Sequence, residues 1–269
     1  MASNRIDCVL ILSCITVLGL TIDICTGANL IKTSLLGYDP IIGARYYGIG
    51  NEFMGVFIGA TLVFTTAMMD RFKISPMFSI IIFFIITFVM GYPRLGANVG
   101  GMITAVSTFI FASLRLFRIK IKLKHMVAIG VSIVCVVGVM GFIDMKLGGG
   151  QSHLAGAILN IANEGPNAIF RIIERKISMN VRLIGITIWS KVLISTMMIL
   201  AILFYSPVGI ISKLSKLYPN LSIGWSSIIF ACFVTFFVND SGVVAAATGI
   251  IFLGMSMLYL IFFMKGYCE

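Results

Sequence analysis

Residues 99–124 read VGGMITAVSTFIFASLRLFRIKIKLK: an apolar run, Val99–Leu116, closing on the cations Arg115, Arg118, Lys120, Lys122 and Lys124. A helix that crosses a bilayer needs about 17–25 mostly apolar residues, and this run supplies them. Charged side chains are costly at the hydrocarbon centre, so the cations end the crossing and mark the face where the chain emerges. Small residues at one end and a basic cluster at the other give the segment a direction.

The same pattern extends both ways along the chain. Apolar stretches run Cys8–Ile22, Gly48–Met69, Pro76–Tyr92, Val99–Leu116, Met126–Ile143, Leu183–Val208, Ser222–Val238 and Gly242–Met264. The first is short and bounded by Asp7 and Asp23; no small-x-small cleavage site follows it, so it reads as a span rather than a signal-peptide core. Composition agrees, with 59% hydrophobic and 11% charged among 269 residues and a mean hydropathy of +1.07. Soluble domains carry about 25% charged residues, so a soluble or disordered chain is excluded. The expected fold class is all-α: a polytopic transmembrane helical bundle of about eight spans, with residues 1–269 as a single integral membrane domain.

Lys and Arg set the orientation. Alternate connections hold Arg71 and Lys73, then the 115–124 cluster, then Lys213 and Lys216; with Arg5 and Lys265 these are eleven of the twenty basic residues. The positive-inside rule puts them, and both termini, in the cytoplasm. RLFRIKIKLKH (115–125) reads first as a cytoplasmic anchor; acidic lipid is the other reading, and nucleic acid is not an expected partner. The net charge of +10 thus largely reports topology. What remains is an outward set: Lys32, Arg45, Arg94, Lys146, Arg171, Arg175, Lys176 and Arg182.

Three outward connections carry polar motifs at the starts of inward-running helices. They are Arg45-Tyr46-Tyr47-Gly48-Ile49-Gly50-Asn51-Glu52, Gly96-Ala97-Asn98-Val99-Gly100-Gly101 and Asn239-Asp240-Ser241-Gly242. A helix start leaves backbone N–H groups unpartnered and partly positive; Asn, Asp and Ser cap such ends, and an anion suits them. Gly55-x-x-x-Gly59 and Gly96-x-x-x-Gly100 fit close helix contacts. Glu52 falls inside an apolar stretch and so needs a partner, for which Lys191 in the sixth stretch is a candidate.

The longest outward connection, 144–182, opens on Gly148-Gly149-Gly150 and Ser152-His153-Leu154 and breaks near Gly165-Pro166. After the break Ile169, Ile172, Ile173 and Ile177 share one helical face, with Arg171, Glu174, Arg175 and Ser178 opposite. That is an interfacial amphipathic helix or a lid on the bundle.

The ordered set RYYGIGNE, GANVGG, SHL, RK-x-x-x-N (Arg175 to Asn180) and NDSG resembles a bacterial family of multi-span membrane proteins. The resemblance covers Arg45 to the last span. It implies that these residues belong together, and it implies no particular reaction. Asn98 stands where that family commonly has Asp, which weighs against an acid or metal role there.

Six cysteines lie mostly within apolar stretches without zinc or redox spacing, and only His125 and His153 are histidines, so no multi-histidine metal site is possible. No phosphate loop, dinucleotide fingerprint or nucleophile elbow is present, and no cofactor is specified. The first functional reading is an enzyme at the outer membrane–water boundary, acting on a lipid-linked phosphate or glycan of the cell envelope. Glu52, His153 and Asp240 are the candidate catalytic groups. Arg45, Asn51, Arg94, Asn98, Arg171, Arg175, Asn180 and Asn239 are the candidate substrate-binding groups. A transporter or channel, and a non-catalytic partner of an envelope enzyme, are the alternatives.

Overall fold

The computed structural model describes residues 5–36, 48–148, 165–205 and 209–265. Their helices are α1 (Ile6–Cys25), α2 (Asn29–Thr33), α3 (Asn51–Phe72), α4 (Pro76–Gly91), α5 (Val99–Leu116), α6 (Leu123–Gly148), α7 (Pro166–Ile186), α8 (Ile188–Tyr205), α9 (Gly209–Leu217), α10 (Pro219–Val238) and α11 (Gly242–Lys265). Pro opens α4, α7 and α10 at the first helical position, where its missing N–H costs nothing. Among the described residues six helices are long and apolar enough to cross a bilayer, or seven if α7 and α8 together form one broken span. The chain is a polytopic, all-α membrane protein.

Helix α3 is the hub, packed by α1, α4, α5, α10 and α11. Its closest partner is α11, and small residues permit the approach. A Cβ added to Gly55 would lie 2.1 Å from the Ala245 carbonyl oxygen, and one on Gly59 would lie 2.6 Å from that of Gly249. In lipid, where apolar burial gives helices little reason to associate, such backbone proximity is what holds them. The expected Gly55-x-x-x-Gly59 contact is therefore present. Gly96-x-x-x-Gly100 is different, because α5 starts only at Val99 and Gly96 sits in the turn before it. There a Cβ would meet the Met90 backbone, so Gly96 serves a tight turn rather than a helix face.

Buried hydroxyls in α3 are satisfied within their own helix: Thr61, Thr65 and Thr66 donate to the carbonyls of Phe57, Thr61 and Leu62. Exposed apolar side chains coat the periphery, among them Leu12, Ile15 and Ile22 of α1 and Val127, Val131 and Val134 of α6. Those are the faces a bilayer solvates.

One end of the bundle gathers the basic residues. There Arg71 on α3 donates to Asp7 on α1 through Nε (2.5 Å) and Nη2 (3.2 Å), and Arg5 reaches the Phe263 carbonyl of α11 (3.3 Å). Asp70 accepts the Asn220 and Leu221 N–H groups at 3.2 and 2.8 Å, so a carboxylate on α3 caps the start of α10. At the opposite end Asp23, 5% exposed, takes the Leu30 and Ile31 N–H groups and holds α2 against α1.

The sixth expected stretch, Leu183–Val208, is not one continuous helix. Thr187 takes extended backbone and the axis bends by 88° between Phe170–Ile186 and Ile188–Leu200. The Thr187 hydroxyl accepts the Trp189 N–H (2.9 Å) and Ser190 Oγ donates back to the Leu183 carbonyl (3.0 Å). Local side-chain bonds replace the helical ladder at that corner.

Candidate functional site

Three helices begin at the end opposite the basic cluster, and each brings an asparagine. Asn98, the N-cap of α5, accepts the Gly101 N–H at 2.7 Å. Its amide donates to the Ile49 carbonyl (3.0 Å) and to Asn51 Oδ1 (3.4 Å) at the start of α3. The Ile49 N–H in turn donates to the Gly96 carbonyl (2.8 Å). Asn51 passes the chain on, its amide donating to Ser241 Oγ at 2.6 Å before α11.

Asn239 occupies the gap between α5 and α10. Its amide donates to Thr235 Oγ1 (2.7 Å) and Thr104 Oγ1 (3.2 Å), one on each helix. Gly100 makes the room, since a Cβ there would lie 2.0 Å from Asn239 Oδ1. Asn180, on α7, closes the corner: its amide donates to the Asn239 and Phe236 carbonyls (2.7 and 3.0 Å) and its oxygen accepts the Val243 N–H (2.9 Å). Asn98, Asn180 and Asn239 are at most 2% exposed. Buried amides are costly unless bonded, and here each is bonded to a different segment of backbone or side chain.

Two donors that an anion would use at these helix starts are consequently occupied, Gly101 N–H by Asn98 and Val243 N–H by Asn180. Those two donors are closed to an anion, which leaves side-chain cations as an alternative source of affinity. Lys176, one turn before Asn180 on α7, supplies one: its Nζ stands 3.3 Å from Asp240 Oδ1. The Lys176 and Asp240 side chains are 19% and 48% exposed, yet Oδ1 itself is buried and receives no hydrogen bond among the described residues. It is an ion-paired carboxylate oxygen with an acceptor site in hand, on a carboxylate whose other side faces out.

The remaining candidates are placed less centrally. Glu52 lies in the first turn of α3 and is half-buried; it is at the helix start rather than inside the span, where the helix dipole favours a carboxylate. Its main-chain carbonyl accepts the Thr248 hydroxyl at 2.8 Å. Lys191 is exposed near the start of α8, and no Glu52–Lys191 ion pair occurs among the described residues. Arg94 is exposed in the α4–α5 turn, and Arg171 and Arg175 are exposed four residues apart on α7. Arg45 and His153 lie outside the described residues.

Sequence reasoning missed Thr104 and Thr235, which carry Asn239. A threonine in an apolar helix ordinarily spends its hydroxyl on its own backbone, as Thr104 also does toward the Gly100 carbonyl (2.9 Å). The one signal was Gly100 a single turn before Thr104. A cavity of about 10 Å³, room for roughly one water, lies just below, lined by Gly55, Gly59, Thr104, Cys232, Thr235 and Gly249.

Fold and site together define a polytopic helical membrane protein in which four sequence motifs, far apart in the chain, converge on one amide junction. No family model, curated protein or solved structure matches the chain.

Proposed function

We propose that the protein is a membrane enzyme acting on a lipid-linked phosphate or glycan at the outward boundary of a bacterial cytoplasmic membrane. The observation that carries this reading is Asp240 Oδ1: buried, charge-compensated by Lys176 and without a hydrogen-bond donor among the described residues. A preorganised carboxylate with a spare acceptor site, partly open to its surroundings, suits a general base. It takes the proton of an attacking hydroxyl or water as the new bond to phosphorus forms; the bond to the leaving oxygen breaks, and that oxygen is protonated from water. Lys176, Arg94, Arg171 and Arg175, with Arg45, hold the phosphate oxygens. Glu52 and His153 are the further candidate groups. The asparagines position this machinery rather than touch the substrate, since their amides are already engaged.

The topology that goes with this reading has eight crossings, both termini cytoplasmic, and α7 lying along the outer interface before the bend into α8. Helix α4, with 16 residues, is about 24 Å long, short for a crossing but followed at its C-terminal end by the Tyr92–Asn98 turn. Kinship with the bacterial family that the ordered motifs resemble belongs to the same proposal. It is supported by Asn51, Asn98, Lys176, Asn180 and Asp240, drawn from four of those motifs, falling at one end.

The test is conversion in vitro. Purified protein in proteoliposomes containing envelope lipid-linked phosphates is followed by mass spectrometry of those lipids. Wild type converting a species that Asp240→Asn leaves untouched supports the reading; no conversion by wild type opposes it.

A further inference from the structure

At the basic end, the turn that follows α5 faces the corner between α9 and α10 across a cleft of about 500 Å³. Arg115, Arg118 and Lys120 line one side; Ser215 and Ser222 stand on the other. We propose that this cleft is a binding site for a phosphate group, carried either by an anionic lipid headgroup or by a soluble phosphorylated molecule. The inference does not rest on the reading of the asparagine end.

Three features argue for it. The cations have no carboxylate partner among the described residues, whereas Arg71 at the same end is paired with Asp7. Three like charges around one cleft repel one another, and a doubly acceptor-rich anion relieves that repulsion while taking directed N–H bonds. The hydroxyls are set for an acceptor: Ser222 donates to Ser215 Oγ at 3.2 Å, and no donation by Ser215 occurs among the described residues. Ser215 therefore has its proton to give. Finally, Arg118 closes α5 at φ +60°, in the left-handed region that favours glycine. A guanidinium kept where glycine would be less strained points to a use for that side chain. A topology signal requires cations on this side of the membrane, but it does not require them to converge on a cleft with hydroxyls opposite.

The experiment uses the purified full chain and reads thermal unfolding. One arm adds inorganic phosphate against chloride at equal ionic strength. The other compares phosphatidylcholine bilayer discs with discs containing phosphatidic acid. A saturable rise in Tm in either arm is expected; a rise with both assigns the site to the phosphate group itself. A rise in one alone names the headgroup or the soluble molecule as its source. Arg118→Gly relieves the backbone strain, so its Tm without added phosphate is equal to or above wild type, while its apparent affinity falls about tenfold or more. Lys120→Gln shows the same loss of affinity. Lys124→Gln, an exposed cation outside the cleft, binds as wild type does. The proposal is overturned if neither arm shows a saturable rise, or if Lys124→Gln weakens the response as much as Arg118→Gly.

Discussion

The side-chain amide of Asn180 donates to the main-chain carbonyl of Asn239 at 2.7 Å, while the Asn180 oxygen accepts the N–H of Val243 at 2.9 Å. One side chain on α7 thus supplies both halves of the turn between α10 and α11 with the partners their helix ends lack. The junction matters because Asp240 lies within that turn. Its orientation is inherited from a neighbour sixty residues away in the sequence.

Removing Asn180 should loosen this end of the bundle. Asn180→Ala leaves a buried carbonyl and a buried N–H without partners, at a cost of roughly 1–3 kcal/mol each. Asn180→Asp keeps the acceptor for Val243 but sets a buried carboxylate oxygen against the Asn239 and Phe236 carbonyls, so its Tm should fall at least as far as that of the alanine variant. Thermal unfolding in an uncharged detergent measures both; an unchanged Tm for the alanine variant would remove the junction's structural role.

Two glycines in spans should respond oppositely to a methyl group. Gly100→Ala drives a Cβ toward Asn239 Oδ1, and overpacking of this kind costs about 1–3 kcal/mol. Gly138→Ala on α6 meets nothing within 4 Å and should be neutral or stabilising by about 0.5–1 kcal/mol, the usual helix-interior gain. The same unfolding assay, run on both, separates helix propensity from helix contact.

The Lys176–Asp240 pair should matter more to activity than to stability. Both side chains are partly exposed, and pairs of that kind contribute about 1 kcal/mol or less. Lys176→Gln and Asp240→Asn should therefore fold with near wild-type Tm. A large loss of Tm in either would mean that the pair is chiefly structural.

Much of the fold was legible because bilayer physics writes it in long apolar runs closed by cations; among the described residues seven of the eight stretches each fall on a single helix, six of those helices being long enough to cross. The exception is instructive. Leu183–Val208 looked continuous since Thr187 is compatible with an apolar run, and its role as a corner appears only through its bond to Trp189. At the site, Asn51, Asn98, Asn239 and Asp240 were visible as residues expected at helix starts. That they meet was not, because Asn98 reaching the Ile49 carbonyl depends on how α3 and α5 pack. Thr104 and Thr235 were invisible for a chemical reason: a helical threonine normally satisfies itself.

Sidedness is open to direct labelling. In a cysteine-free background, Arg94→Cys on the asparagine end should react with a membrane-impermeant maleimide in intact cells. Lys122→Cys in the basic turn should react only after the cells are lysed. The reverse pattern would place the asparagine junction in the cytoplasm.

The central claim is that Asp240 works on an outward lipid-linked substrate. It is tested most directly by the envelope lipid-linked phosphate profile of cells lacking the protein, restored with wild type or with Asp240→Asn at matched membrane amount and Tm. The account predicts that wild type restores the profile and the asparagine variant leaves it as in the cells without the protein. A folded Asp240→Asn variant that restores the profile fully would contradict it.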